Sequence, residues 1–255
     1  MAIELTRVEE FALITLSRAE ALNALSFALI ADLGRALDEV ARSDARALLV
    51  TGAGDKAFCA GADIKELKGR SLLEQKRGGE LGQHTFAKLE RLPMPSVAII
   101  NGYAFGGGLE LALACTLRVA TRNAKMALPE IKLGLIPGYG GTQRLPRAVG
   151  EGRAMDMILS GRTIDAEEAL RIGLVQRLVD GEALAGGIAY AREFSRHSLA
   201  VLGFAREAVS RALATPLSEG LKIEADLSTL AFQTSDAEEG MAAFVEKRKP
   251  NFRDE

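Results

Sequence analysis

The sequence predicts an α/β fold followed by a helical region, and three observations carry that prediction. Short apolar runs alternate with amphipathic helical patterns for most of the chain. From Glu151 onward the strand signals fade and helices dominate. No internal repeat, low-complexity segment or long linker divides the 255 residues into independent units. The expected layout is an α/β core over 1–190 that carries the active site. A helical region over 191–255 follows, suited to oligomer contacts.

Phe11–Leu16 and 47–51 read as strands, the second ending at the Gly52-Ala-Gly54 turn. Between them, 26–42 spaces Phe27, Ile30, Leu33, Leu37 and Val40 as one helix face, with Ser26 as its N-cap. Ser96–Ile100 is a buried strand closed by Asn101-Gly102, and 117–120 and 125–128 are shorter candidates. Past residue 180, the stretches 182–195, 199–214, 217–231 and 237–247 each offer an apolar helix face. Pro216 separates the second from the third, because proline cannot continue the earlier helix. Helices with apolar faces and no sheet to cover must pack on the core or on another subunit, and Phe232, Phe244 and Phe252 are candidates for that contact.

The totals exclude several function classes. A 48% hydrophobic and 26% charged composition supports a packed core rather than a disordered chain. A formal net charge of −2 argues against broad nucleic-acid affinity, which needs clustered cations; Arg144, Arg147 and Arg153 read as solvated or carboxylate-paired. Cys59 and Cys115 lack CxxC spacing and sit among small apolar residues, which excludes a disulfide framework or structural zinc and favours packing. His84 and His197 are isolated, so nucleophile–histidine catalysis has little material and acid–base chemistry falls to carboxylates. The start at Met1 shows no cationic leader, and no run approaches the roughly 20 apolar residues of a membrane helix, so a cytoplasmic location is expected by default.

Three segments concentrate chemistry: Phe58-Cys-Ala-Gly-Ala-Asp-Ile-Lys-Glu66, Asn101-Gly-Tyr-Ala-Phe-Gly-Gly-Gly-Leu-Glu110 and Leu128-Pro-Glu-Ile131. Gly106, Gly107 and Gly108 follow a strand and open a helix, as a phosphate loop would. They lack GxGxxG spacing, however, and no Lys-Ser or Lys-Thr follows them. The alternative use is an oxyanion site. Glycines let a ligand approach the backbone, and the first amides of the helix are unpartnered and carry the positive end of its dipole. Glu110 lies in that first turn. Ala60-Gly-Ala-Asp63 has the same character, with Asp63 available to cap a helix from Ile64. Glu130, after Pro129 and between apolar neighbours, is placed for partial desolvation and a raised pKa. Each segment also has a structural use: glycines for tight helix–strand packing, Asp63 as a simple N-cap, Glu130 as a surface residue at a strand end. The residues alone leave both open.

Taken together the segments resemble the enoyl-CoA hydratase/isomerase family, also called the crotonase family. The resemblance covers almost the whole chain. It includes Leu22-Asn-Ala-Leu25, Ile136-Pro-Gly-Tyr-Gly-Gly-Thr-Gln-Arg-Leu145 and the ending Glu239-Gly-Met-Ala-Ala-Phe-Val-Glu-Lys-Arg-Lys-Pro-Asn-Phe252. The last two point toward the hydratases. The resemblance implies a crotonase-like spiral of ββα turns and a C-terminal helical region that builds a homotrimer or a hexamer of two trimers. It implies Ala62 and Gly107 as backbone oxyanion donors and Glu110 and Glu130 as the acid–base pair, with Glu130 donating to Cα and Glu110 activating water. It also implies that the Gly138 amide helps place water. Ala24, Ala60, Asp63, Ile64 and Lys65 would lie at or beside the CoA thioester, and Phe244 and Lys247 would reach CoA from a neighbouring subunit. The substrate is then an acyl-CoA thioester, with no metal or redox cofactor and no membrane or nucleic-acid partner. An enoyl-CoA isomerase is the rival within the family, disfavoured by the retained glutamate pair. A thioester hydrolase, an RNA-binding relative and a non-catalytic CoA scaffold stand further off. Leu128, where a polar residue is expected, and the polar, glycine-containing stretch 68–85 leave the acyl-chain preference open.

Overall fold

From the third strand to the eighth, consecutive strands alternate between two sheets, and that alternation winds the chain into a spiral. The computed structural model describes residues 2–255; the leader reading, which begins at Met1, lies in part outside the described residues. β1 (Ile3–Val8) and β2 (Phe11–Leu16) form an antiparallel pair, followed by α1 (Phe27–Val40). The next turn holds β3 (Leu48–Gly52), β4 (Ala57–Cys59), α2 (Ile64–Leu67) and α3 (Leu72–Glu90). The third holds β5 (Ser96–Ile100), β6 (Tyr103–Phe105) and α4 (Gly107–Ala114). The fourth holds β7 (Leu117–Thr121), β8 (Lys125–Ala127), α5 (Gly141–Val149) and α6 (Glu151–Ser160). Then come β9 (Ile164–Asp165), α7 (Ala166–Arg171), β10 (Arg177–Val179) and the helices α8 (Ala183–Ser195), α9 (Leu199–Arg211), α10 (Leu217–Phe232) and α11 (Ser235–Glu246).

The larger sheet runs β1-β2-β3-β5-β7-β10 and the smaller β4-β6-β8-β9. From β2 to β10 the larger sheet is parallel, and so are β4, β6 and β8 in the smaller one. The first turn keeps both strands in the larger sheet, and the second, third and fourth each supply one strand to each sheet, the spiral that the resemblance implies. Both faces of the larger sheet are covered, which is why β3 and β5 read as unbroken apolar runs rather than alternating ones. Ile14, Leu48, Val50, Ala98 and Ile100 face α1, α3 and α4, while Leu13, Leu49, Val97 and Ile99 face α8 through Ile188 and Ala191. Core packing therefore continues to the end of α8.

Local signals hold where they were strong. The Ser26 side chain accepts the Leu29 N–H and starts α1, and Asp63 caps α2 by accepting the Lys65 N–H. Cys59 and Cys115 are buried, which pushes both thiols up to about 12, as packing residues require. Two features go beyond the sequence reading. The stretch 68–85 is mostly helix, begun by a reciprocal capping box between Ser71 and Glu74. Helix also begins before Glu151, at Gly141, and two short strands lie beyond that residue. α9 and α10 bury no residue within the chain, and Val209, Leu217 and Phe232 are exposed. Among the described residues, no helix is long and apolar enough to cross a membrane.

Candidate active site

The three chemically marked segments leave the C-terminal ends of three adjacent parallel strands. Ala60–Asp63 follows β4, Gly106–Gly108 follows β6 and Leu128–Glu130 follows β8. Parallel pairing makes sequence-distant segments neighbours here. A Cβ added at Gly61 would lie 3.0 Å from the Phe105 carbonyl oxygen, and the Gly106 N–H donates to Ala127 O at 2.9 Å. The Leu22–Leu25 segment lies along the first loop: Ala60 N–H donates to Leu22 O (3.0 Å), Leu25 N–H to Gly61 O (2.8 Å) and Asp63 N–H to Leu25 O (2.8 Å).

That pairing uses the Gly61 carbonyl and the Asp63 N–H but not the Ala62 N–H. Among the described residues neither the Ala62 nor the Gly107 N–H finds an acceptor in the chain. Gly107 is the first residue of α4, where the amide has no intrahelical partner and the dipole adds partial positive charge. Gly106 makes the corner with φ +51° and ψ −125°, a backbone state that a side chain would strain. Two free donors on touching loops can hold a carbonyl oxygen that gains negative charge.

Both glutamates adjoin this corner. The Glu110 N–H donates to Gly106 O at 3.0 Å, and a Cβ built at Gly106 would lie 2.9 Å from Glu130 Oε1. Glu110 is 2% exposed, and its Oε1 accepts the N–H groups of Tyr139 (2.8 Å) and Gly141 (2.7 Å). Burial pushes the Glu110 carboxyl up to about 7, the Glu130 charge adds to the rise, and the two amides oppose it. Gly141 begins α5, so this carboxylate sits at a helix N-terminus, a place that favours its ionised form. Glu130 opens a short 3₁₀ turn, Glu130–Leu133, and burial raises its pKa as well. Its Oε2 is buried without a partner. The Glu130 charge opposes ionisation of Glu110, as a neighbouring carboxylate does.

The peripheral positions divide. Ala24, Ala60, Asp63, Ile64 and Lys65 lie together around the first loop, where Asp63 also pairs with Arg18 at 3.4 Å and Ile64 is 53% exposed. Gly138 is exposed, and its carbonyl accepts from Gln83 Nε2 at 2.9 Å. Phe244, 86% exposed, and Lys247 sit on α11 and its C-cap, beside α10 and the C-terminal segment rather than the glutamates. The amides of Tyr139 and Gly141 were not anticipated as partners of Glu110. Every residue except proline has an N–H, so residue type carries no signal for them.

Comparison with known proteins identifies the scaffold. A family model described as enoyl-CoA hydratase/isomerase matches residues 6–255. The chain belongs to the enoyl-CoA hydratase/isomerase family. Within that family it is similar to the crotonyl-CoA hydratase of Syntrophomonas wolfei, at 42% identity over 98% of this chain and 97% of the relative. It is 38% identical to the short-chain-enoyl-CoA hydratase of Clostridium acetobutylicum, over 93% of this chain and 92% of that one. The crystal structure of an enoyl-CoA hydratase from Bacillus anthracis superposes over all of both chains with a TM-score of 0.95 at 38% identity. An enoyl-CoA hydratase/isomerase spiral is therefore the scaffold on which the two loops and the glutamate pair sit.

Proposed function

We propose that the protein is an enoyl-CoA hydratase, adding water reversibly across the α,β double bond of an acyl-CoA thioester to give the 3-hydroxyacyl-CoA. The observation that carries the proposal is the pair of buried carboxyls, Glu110 and Glu130, adjoining a corner with two unpartnered amides. The Ala62 and Gly107 N–H groups receive the thioester oxygen and draw electron density from the double bond. Glu110, held by two amides that favour its ionised form, takes a proton from water as the water oxygen bonds to Cβ. The π electrons move into an enolate on the thioester, and protonated Glu130 delivers its proton to Cα. Glu110 then carries the proton that Glu130 lacks, and transfer through solvent resets the pair. CoA arrives as part of the substrate, and no resident metal or redox group takes part.

The active unit is a homotrimer or a pair of trimers, a reading supported by the exposed apolar residues of α9 and α10. In it, Phe244 and Lys247 contact CoA bound to a neighbouring subunit. The test is loss of the enoyl thioester's ultraviolet absorbance with short, long and branched substrates. Hydration at an enzymatic rate by the wild type, and not by Glu110→Gln or Glu130→Gln, supports the proposal. Release of free thiol indicates a hydrolase instead, and equal rates in all three proteins refute the glutamate assignment.

A further inference from the structure

The Tyr139 side chain reaches from the loop holding Glu110 to both the α4 corner and α3. Its ring is 7% exposed and meets Phe86 edge-on, with centroids 5.7 Å apart at 79°. A methyl added at Gly107 would lie 3.2 Å from ring Cδ2. On the opposite edge a methyl added at Gly82 would lie only 2.2 Å from ring Cδ1. The ring therefore fills a notch in α3 that exists only because residue 82 has no side chain. α3 holds the same loop by two further contacts. Gln83 donates to the Gly138 carbonyl, while Glu90 pairs with Arg144 at 2.6 Å, and Arg144 in turn donates to the Tyr139 carbonyl at 2.9 Å.

We propose that Gly82 and Tyr139 form a positioning device: α3 acts as a backstop, and the depth of the Tyr139 ring in the Gly82 notch sets where the Tyr139 and Gly141 amides hold Glu110. Neither residue is assigned contact with substrate. The proposal deepens the hydratase reading and rests on it for its kinetic consequences, but the geometric part concerns Glu110 alone. Lifting the ring out of the notch moves its backbone with it, and the two N–H donors on Oε1 lengthen. Donors to a carboxylate favour its ionised form, so their loss raises the Glu110 pKa further. The groups facing Glu110 are Glu130, Arg144 and the Tyr139 phenol, none of which Gly82→Ala removes.

The test combines Gly82→Ala, Tyr139→Ala and the double variant. Each is followed by crotonyl-CoA kinetics across pH and by NMR titration of carboxyl-labelled glutamates, with the Glu110 signal identified by its absence in Glu110→Gln. Gly82→Ala is expected to lower kcat by about 10- to 100-fold, the size expected of a small misplacement, with little change in KM. The acid limb of the profile and the Glu110 titration both move to higher pH. In the Tyr139→Ala background, where no ring fills the notch, Gly82→Ala has no further effect. Wild-type kcat and an unshifted Glu110 titration in Gly82→Ala overturn the proposal, and so does a loss that adds in full to that of Tyr139→Ala. If Gly82→Ala does not fold, Tyr139→Leu, which shortens the ring without crowding α3, is expected to show the same upward shift; an unshifted titration there overturns the proposal equally. If the wild type hydrates none of the short, long and branched enoyl-CoAs, the hydratase reading falls, and the titration still decides the positioning claim.

Discussion

Glu110 Oε1 accepts the Gly141 N–H at 2.7 Å, so a carboxylate from the first turn of one helix sits on the first amide of another. Burial and the second glutamate drive this group toward neutrality while the helix end draws it toward ionisation. The balance leaves it near neutral pH, where a general base operates best.

Replacing Glu110 with Gln keeps the shape and removes the proposed base. The expected loss in kcat for crotonyl-CoA hydration is ~10²–10⁴-fold with KM little changed, read by steady-state kinetics. Glu130→Gln is expected to fall in the same range and, by removing a neighbouring negative charge, to lower the Glu110 pKa.

Stability should depend on pH through the same residue. The folded-state pKa of Glu110 is raised from 4.5 to about 7, so the folded protein holds the proton more tightly than the unfolded chain. Its stabilising contribution is full below pH 4.5 and is lost as pH rises through 7, by up to ~3 kcal/mol. Thermal melts of wild type and Glu110→Gln over this window measure it. The wild type should lose ground to the variant as pH rises, and parallel curves contradict the expectation.

Gly106→Ala tests the corner. The positive φ and the approach of Glu130 Oε1 both oppose a side chain, and the strain is expected to destabilise the protein by ~1–3 kcal/mol. A fall in Tm with a loss of kcat is the predicted result, whereas unchanged values would show the corner to be tolerant.

The apolar residues of α9 and α10 predict assembly. Light scattering should give a mass near a trimer or hexamer of the 27.2 kDa chain, and Leu217→Glu or Phe232→Glu should shift it toward the monomer.

Strong local signals made much of this legible in the sequence. Phe11–Leu16 and Ser96–Ile100 were read to their observed ends because burial on both faces leaves them almost wholly apolar. Strands of three residues such as β4, β6 and β8 are too short to show a period, yet their parallel order is what gathers the site. α3 escaped notice because Gly78, Gly79 and Gly82 lower helix propensity. Two of these glycines receive aromatic rings, Phe27 at Gly78 and Tyr139 at Gly82, so tertiary packing overrode the local preference. Ala62, Gly107, Glu110 and Glu130 were marked by motif, whereas their convergence depended on sheet topology.

The most direct test of the account is hydration of crotonyl-CoA in oxygen-18-labelled water, with products analysed by mass spectrometry. The account predicts one labelled oxygen on Cβ of the 3-hydroxyacyl-CoA formed by the wild type, at a rate ~10²–10⁴-fold above that of Glu110→Gln or Glu130→Gln. Label in a released carboxylate, or a shifted double bond without label, would contradict it.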